Sequence, residues 1–228
     1  MIKDIAFIIE DLVNSIDITI DGTFNISENF TEYCDTKWAR KGKTISDSFD
    51  NRFLITGIEY DENITFDSLT PPSPVLNGKA FLPKPFFISG TKKATNREWT
   101  ISGSNVTKKT PIVWLLETLR ERKFGRESVF DFESEVRLFF LDETNVREFY
   151  TVDHRREVVY PMAKLVESFI ETIKKNRKFL TIEDYTIKSF SRFGVEQENG
   201  IFQNVLDANL SGVELIITLT KYKDNCKC

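Results

Sequence analysis

The chain has 228 residues, 40% of them hydrophobic and 29% charged, enough for one large domain with its own core. Its net charge of −4 gives no electrostatic footprint for wrapping a phosphate backbone, and no apolar run approaches the roughly 20 residues that span a bilayer. Three cysteines, two of them in the last three residues, make no disulfide framework, and Asp4 and Glu10 interrupt any signal-peptide core, so synthesis in a reducing cytoplasm is expected.

In residues 2–16, Ile2, Ile5, Ile9, Leu12 and Ile16 share one helical face, widened by Ile8 and Val13. Asp4, Glu10, Asp11 and Asp17 oppose them, where a membrane-surface helix needs Lys and Arg; the spacing predicts a helix packed on a sheet. Residues 16–26 alternate like a strand, and 53–66 read as one or two more. The polar, poorly periodic stretch 28–52 reads as a long loop or arm that reaches a partner. Residues 69–86 carry Pro71, Pro72, Pro74, Pro83 and Pro85, a stiff connector poor in ladder donors.

FFISGT (86–91) reads as a short strand ending in a turn at Gly90. The polar segment after it is expected to open on a short helix, and PIVWLLETL (111–119) to form a buried strand. EVRLFFLDE (135–143) is a strongly apolar strand, and 145–159 reads as a linker. In Val158 to Ile173, Met162, Leu165, Val166, Phe169, Ile170 and Ile173 recur at the spacing of one helical face, with Lys164, Glu167, Glu171 and Lys174 opposite. Pro161 suits the first helical turn, where its missing N–H leaves no bond unmade. Residues 184–204 read as strand, Gly194, strand, with Asn199-Gly200 as a turn signal. In the closing strand, 211–222, Val213, Leu215, Ile217 and Leu219 point one way and Glu214, Ile216, Thr218 and Thr220 the other. Both faces are fairly apolar, which predicts cover on each. The expected fold is α+β: one domain over 1–228, a mixed or antiparallel sheet packed by two amphipathic helices, with long extended loops or arms.

No residue set carries a catalytic, cofactor or metal site. His154 is the single histidine; flanked by Asp153, Arg155 and Arg156, it reads as a surface-turn residue rather than a catalytic base. Cys226 and Cys228 would need Cys34 and His154 from distant parts of the chain to complete a zinc shell. Asp131, Glu133 and Glu135 share a strand face, a pattern open to a cation site or an acid/base pair but more simply a solvated face. Lys92, Lys93, Arg97 and KKT (108–110) surround Trp99, a weak patch for nucleic-acid stacking. Phosphate-loop, dinucleotide and nucleophile-elbow motifs are absent.

PFFISGT (85–91), then a polar segment ending in KKTPIVWLLE (108–117), then VRLFFLDE, YPMAKLVESFI and SGVELIITL in that order, resemble neck and tail-completion proteins of tailed phages. The resemblance covers roughly residues 80–222 and is strongest to phages of Bacteroidetes hosts; 17–69 lies outside it. It implies a non-enzymatic virion protein made in the host cytoplasm and residing at the head–tail junction or tail end. That protein is a tail terminator or tail-completion subunit forming a homo-oligomeric ring, expected to be a hexamer. Its partners would be other copies, neck and tail-tube proteins and DNA passing through the lumen, with no membrane. A head–tail connector or stopper is the sibling reading. From other classes stand a metal-dependent hydrolase built on Asp131, Glu133 and Glu135, and a host-encoded binding module.

Overall fold

The computed structural model describes residues 4–25, 30–33, 35–69, 79–91, 95, 109–117, 120–124, 131–176, 184–198, 201–204, 206 and 208–221. Helix α1 (Ile5–Asn14) is capped by the Asp4 carboxylate, which accepts from Ala6 N–H at 3.0 Å. It buries Ile5, Ile8, Ile9, Leu12 and Val13, the face that the periodicity predicts.

Six strands follow: β1 (Thr19–Asn25), β2 (Phe30–Tyr33), β3 (Thr44–Ser46), β4 (Arg52–Glu59), β5 (Asn63–Ser68) and β6 (Lys79–Phe81). They pair in the order β1-β2-β5-β4-β3-β6 and close into a small barrel. The last seam is thin, a single pair between Ser46 and Phe81. That single pair leaves the rest of the β3 and β6 edges unpaired with each other, so the closure is partial. Ile20, Ile45, Phe53, Ile55, Ile64 and Ala80 are buried, and Phe53 meets Phe66 edge-on at 5.4 Å.

This barrel corrects the expectation of a polar arm at 28–52. Over its described residues the stretch supplies two barrel strands and buries Trp38, Ala39 and Ile45. Charged neighbours hide those contributions from a periodicity count, because each strand is only three or four residues long. Much of the proline-rich connector, residues 70–78, lies outside the described residues, and its end forms β6.

The second sheet contains β7 (Phe86–Gly90), β8 (Ile112–Leu116), β9 (Arg120–Phe124), β10 (Asp131–Glu143), β11 (Tyr185–Phe193) and β14 (Leu210–Lys221), in the order β11-β14-β10-β8-β7 with β9 also on β10. All its pairings are antiparallel except β7 with β8, so the sheet is mixed. A separate hairpin joins β12 (Val195–Glu198) and β13 (Ile201–Asn204); the Asn199-Gly200 turn signal between them lies outside the described residues. Outside too are residues 96–108, leaving only Thr95 described where a short helix is expected.

The expected linker 145–159 is half helical. Helix α2 (Thr151–His154) runs through a π-helical turn (Arg155–Val159) into α3 (Tyr160–Lys175) without a break. Pro161 therefore sits where a π turn passes into an α-helix rather than at a free helix start. The π turn inserts a residue into the helical count and spoils the 3.6 period upstream of Val158. Met162, Leu165, Val166, Phe169, Ile170 and Ile173 are all buried. Phe169 lies 5.6 Å from the Phe140 ring, and burying a side chain of this size contributes about 1.5–3 kcal/mol. One continuous core joins α1, α3, the barrel interior and the Val136/Leu138/Phe140 face of the sheet. The opposite face carries a smaller aromatic core of Trp114, Phe139, Phe190 and Phe193 that takes in Leu210 at the start of β14; further along the same face Thr218 is exposed, so the expected cover on both sides of the closing strand holds only at its start.

Candidate functional site

Asp142 lies at the end of β10. Side chains alternate along a strand, so Asp142 shares the core-facing side with Val136, Leu138 and Phe140. It is 1% exposed. A carboxylate there must be neutralised or hydrogen-bonded, because desolvating an unpaired charge costs several kcal/mol. The partners come from the barrel. The chain between β2 and β3 is pinned by Gly42 N–H to Ile55 O at 2.8 Å and Ile55 N–H to Lys43 O at 2.9 Å. Gly42 takes φ +83° there, a left-handed turn that glycine adopts without strain. The turn aims Arg40 and Lys43 at the sheet. Arg40 Nη1 lies 3.0 Å from Asp142 Oδ2, and Lys43 Nζ 2.7 Å from Oδ1.

The triad is anchored further. Arg40 Nη1 donates to Glu143 O at 2.7 Å, Lys43 Nζ donates to Thr110 Oγ1 at 2.5 Å, and Glu143 N–H donates to Asp142 Oδ1 at 2.7 Å. Burial pushes the Asp142 carboxyl up; the Arg40 and Lys43 charges, the Lys43 hydrogen bond and the Glu143 N–H outweigh that and hold it below the ordinary carboxylate value. Among the described residues Arg40 Nε is buried with no hydrogen-bond partner.

Above this triad opens a cleft of about 500 Å³ lined by Arg40, Lys41, Lys43, Arg147, Val146 and Phe149 among others. Among the described lining residues four are cationic and one, Glu143, is acidic. Lys41 and Arg147 stand exposed on its rim. Asn145 shapes that rim: its Oδ1 accepts from Arg147 and Glu148 N–H, and its Nδ2 donates to Glu148 Oε2 at 2.7 Å.

Behind the cleft sits His154. It is 7% exposed, which corrects the surface-turn expectation: the helix starts earlier than the sequence suggests and carries the imidazole inward. Its Nδ1 lies 2.6 Å from Thr144 Oγ1 and 3.4 Å from Ser211 Oγ, with Phe149 packed edge-on at 5.5 Å. Ser211 Oγ donates its one proton to Ser191 O at 2.6 Å. Both groups are buried, and the cluster ties β11, β14, α2 and Thr144, the residue after β10, together.

A second charged knot clamps barrel to helix. Asp61 Oδ2 accepts from Tyr160 Oη at 3.0 Å and meets Lys164 Nζ at 3.0 Å, while Thr36 reaches Asp61 Oδ1 at 3.4 Å. Burial raises the Asp61 carboxyl, but these bonds and the Lys164 charge bring it below its ordinary value. On the other face of the sheet Glu214, 2% exposed, takes the Arg137 guanidinium, with Nε donating at 2.7 Å.

Of the other residues singled out by sequence, the described Glu133 and Glu135 do not line this cleft. Asp131, Glu133 and Glu135 stand on β10 at register positions opposite Phe124, Arg122 and Arg120 of β9. Glu133 is half-buried and Glu135 exposed. Among the described residues no group of three or more His, Cys, Asp or Glu could hold a metal ion. Cys34, Cys226, Cys228, Lys92, Lys93, Arg97, Trp99 and Lys108 lie outside the described residues. Lys109 and Thr110, read as the end of a basic surface patch, are instead buried. No family model, curated protein or solved structure matches this chain.

Proposed function

We propose that this chain is a structural subunit of a tailed-phage virion: a tail terminator or tail-completion protein that closes with further copies into a ring at the head–tail junction. Six copies match the symmetry of a tail tube, and neck and tail-tube proteins are the partners, with DNA passing through the lumen. One observation supports the reading above the others. The segments that carry the resemblance, far apart in sequence, are spatial neighbours: β7, β8, β10 and β14 form one sheet and α3 lies across it. The barrel, built from residues outside the resemblance, is then an addition to that common body. The head–tail connector or stopper remains the sibling reading, with a different ring order. Nothing in the geometry favours the hydrolase over these.

The test is the virion itself. Mass spectrometry of purified particles should detect the chain in multiple copies, and cryo-electron microscopy should place it as a ring between head and tail. If infected cells contain it in quantity while purified virions lack it, the structural assignment is wrong.

A further inference from the structure

We propose that the outer face of α1 docks into the basic cleft of a second copy, head to tail. This rests on the ring reading and names the contact that builds the ring. The buried side of α1 is fully used by the core. Its outer side presents Asp4, Phe7, Glu10, Asp11 and Asn14 at helical spacing, all exposed, with no cation on the helix; Asp4 caps the helix and Asp11 also interacts within the chain, so Glu10 is the carboxylate beside Phe7 that the docking uses. Phe7 is 58% exposed at the centre of these acids. A large apolar side chain ringed by carboxylates on a helix with a finished core face needs a partner that offers an apolar floor and a cationic rim.

The cleft offers both. Val146 and Phe149 supply apolar lining, Lys41 and Arg147 supply rim charge, and the volume of about 500 Å³ admits a phenyl ring with flanking carboxylates. Among the described residues Arg40, Lys41, Lys43 and Arg147 stand against two carboxylates, the cleft-lining Glu143 and the buried Asp142 beneath, so the cleft keeps a net positive charge that lies on its rim. α1 packs on α3 and β7, whereas the cleft opens where the barrel meets the end of β10. The two surfaces share no residue. A contact between two different surfaces of identical subunits is heterologous, and it adds copies in one sense until the circle closes. In this contact Phe7 is the anchor, and the acid–base rim sets register and encounter rate.

The experiment exchanges Phe7 for the photocrosslinker p-benzoylphenylalanine in the full chain and irradiates assembled virions and the concentrated purified protein. The expected result is covalent dimers and higher multimers whose linked peptides join position 7 to residues 143–149 of another copy. Arg147→Glu with Lys41→Glu should cut that yield by more than about tenfold. Adding Glu10→Lys to the same chain should restore part of it. Unchanged thermal melting of each variant excludes misfolding as the cause of a loss. Multimers whose links map elsewhere, yields insensitive to the reversals, or no adducts in virions that contain the chain would each overturn the docking. Presence in the virion is read separately by mass spectrometry, so docking can fail while the ring reading stands.

Discussion

Asp142→Asn removes one charge and almost no volume, so its effect isolates the electrostatics of the barrel–sheet junction. The carboxylate faces two cations at 3.0 and 2.7 Å. At an effective dielectric of about 20, each contact of this length is worth roughly 5 kcal/mol of Coulomb attraction, and desolvation of three buried ions opposes most of it. Taking away the carboxylate forfeits the attraction and keeps the burial cost of Arg40 and Lys43, whose side chains are only 11% and 10% exposed. The expected loss is about 3–5 kcal/mol at pH 7, which for a chain of this size lowers Tm by roughly 6–20 °C. The folded-state pKa of Asp142 lies below its ordinary 3.8. Its contribution is therefore fully present above that ordinary value and fades as pH falls through it toward the lower folded value. Urea unfolding of wild type and variant should differ most near neutrality and converge under acid. Replacing the whole triad, Asp142→Leu with Arg40→Met and Lys43→Met, should recover most of the loss, since apolar packing needs no counter-charge. A loss under about 1 kcal/mol for Asp142→Asn at pH 7, or a gap that stays constant into acid, would refute the reasoning.

Phe169→Ala should cost about 3–5 kcal/mol through the cavity it leaves under α3, whereas Lys174→Ala on the exposed side should cost less than about 1 kcal/mol; equal losses by denaturant titration would mean the buried face is misassigned. At Gly212 an added Cβ would meet the Phe140 carbonyl oxygen at 2.0 Å, so Gly212→Ala should destabilise by about 1–3 kcal/mol or more, read as a fall in Tm. Deleting Glu28–Asn51 across a short Gly/Ser bridge should prevent folding, because the cut removes Trp38, Ala39 and Ile45 from the barrel; a folded, cooperative deletion variant would restore the arm reading.

Regular structure was legible wherever a period had room to repeat. The α3 face and the closing strand are long enough for burial to write its pattern in the side chains, as is α1; β7 and β8, five residues each, were read instead from apolar runs bounded by Gly90, by Pro111 and by charge. Of the barrel, β1, β4 and β5 were legible as strands; its closure through 36–45 was not, because TKWARKGKTI hides Trp38 and Ala39 among cations, of which Arg40 and Lys43 serve the junction. The helix from Thr151 was missed because the π turn shifts its phase. Asp142 did leave a signal: it falls on the same strand face as Val136, Leu138 and Phe140, and a charge in register with a core face requires an ionic partner. The identity of that partner could not be read, since Arg40 is about a hundred residues away in sequence and no local rule links them. His154 was misplaced because its neighbours Asp153, Arg155 and Arg156 are charged, and on a helix adjacent residues face different ways.

The pairing of β10 with β14 has a mechanical consequence. It runs through twelve consecutive residue pairs, from Phe132 with Lys221 to Glu143 with Leu210, and β9 and β8 grip the other edge of β10. Ladder hydrogen bonds in such a pair lie across the strands. Opposed tension along the strand axis loads every rung at once, so the sheet yields only when many bonds fail together. Tension applied crosswise at Leu210 meets the rungs singly and peels them in sequence. The molecule is therefore a strap in one direction and a zipper in the other, and the direction of pull decides which a neighbouring body would feel.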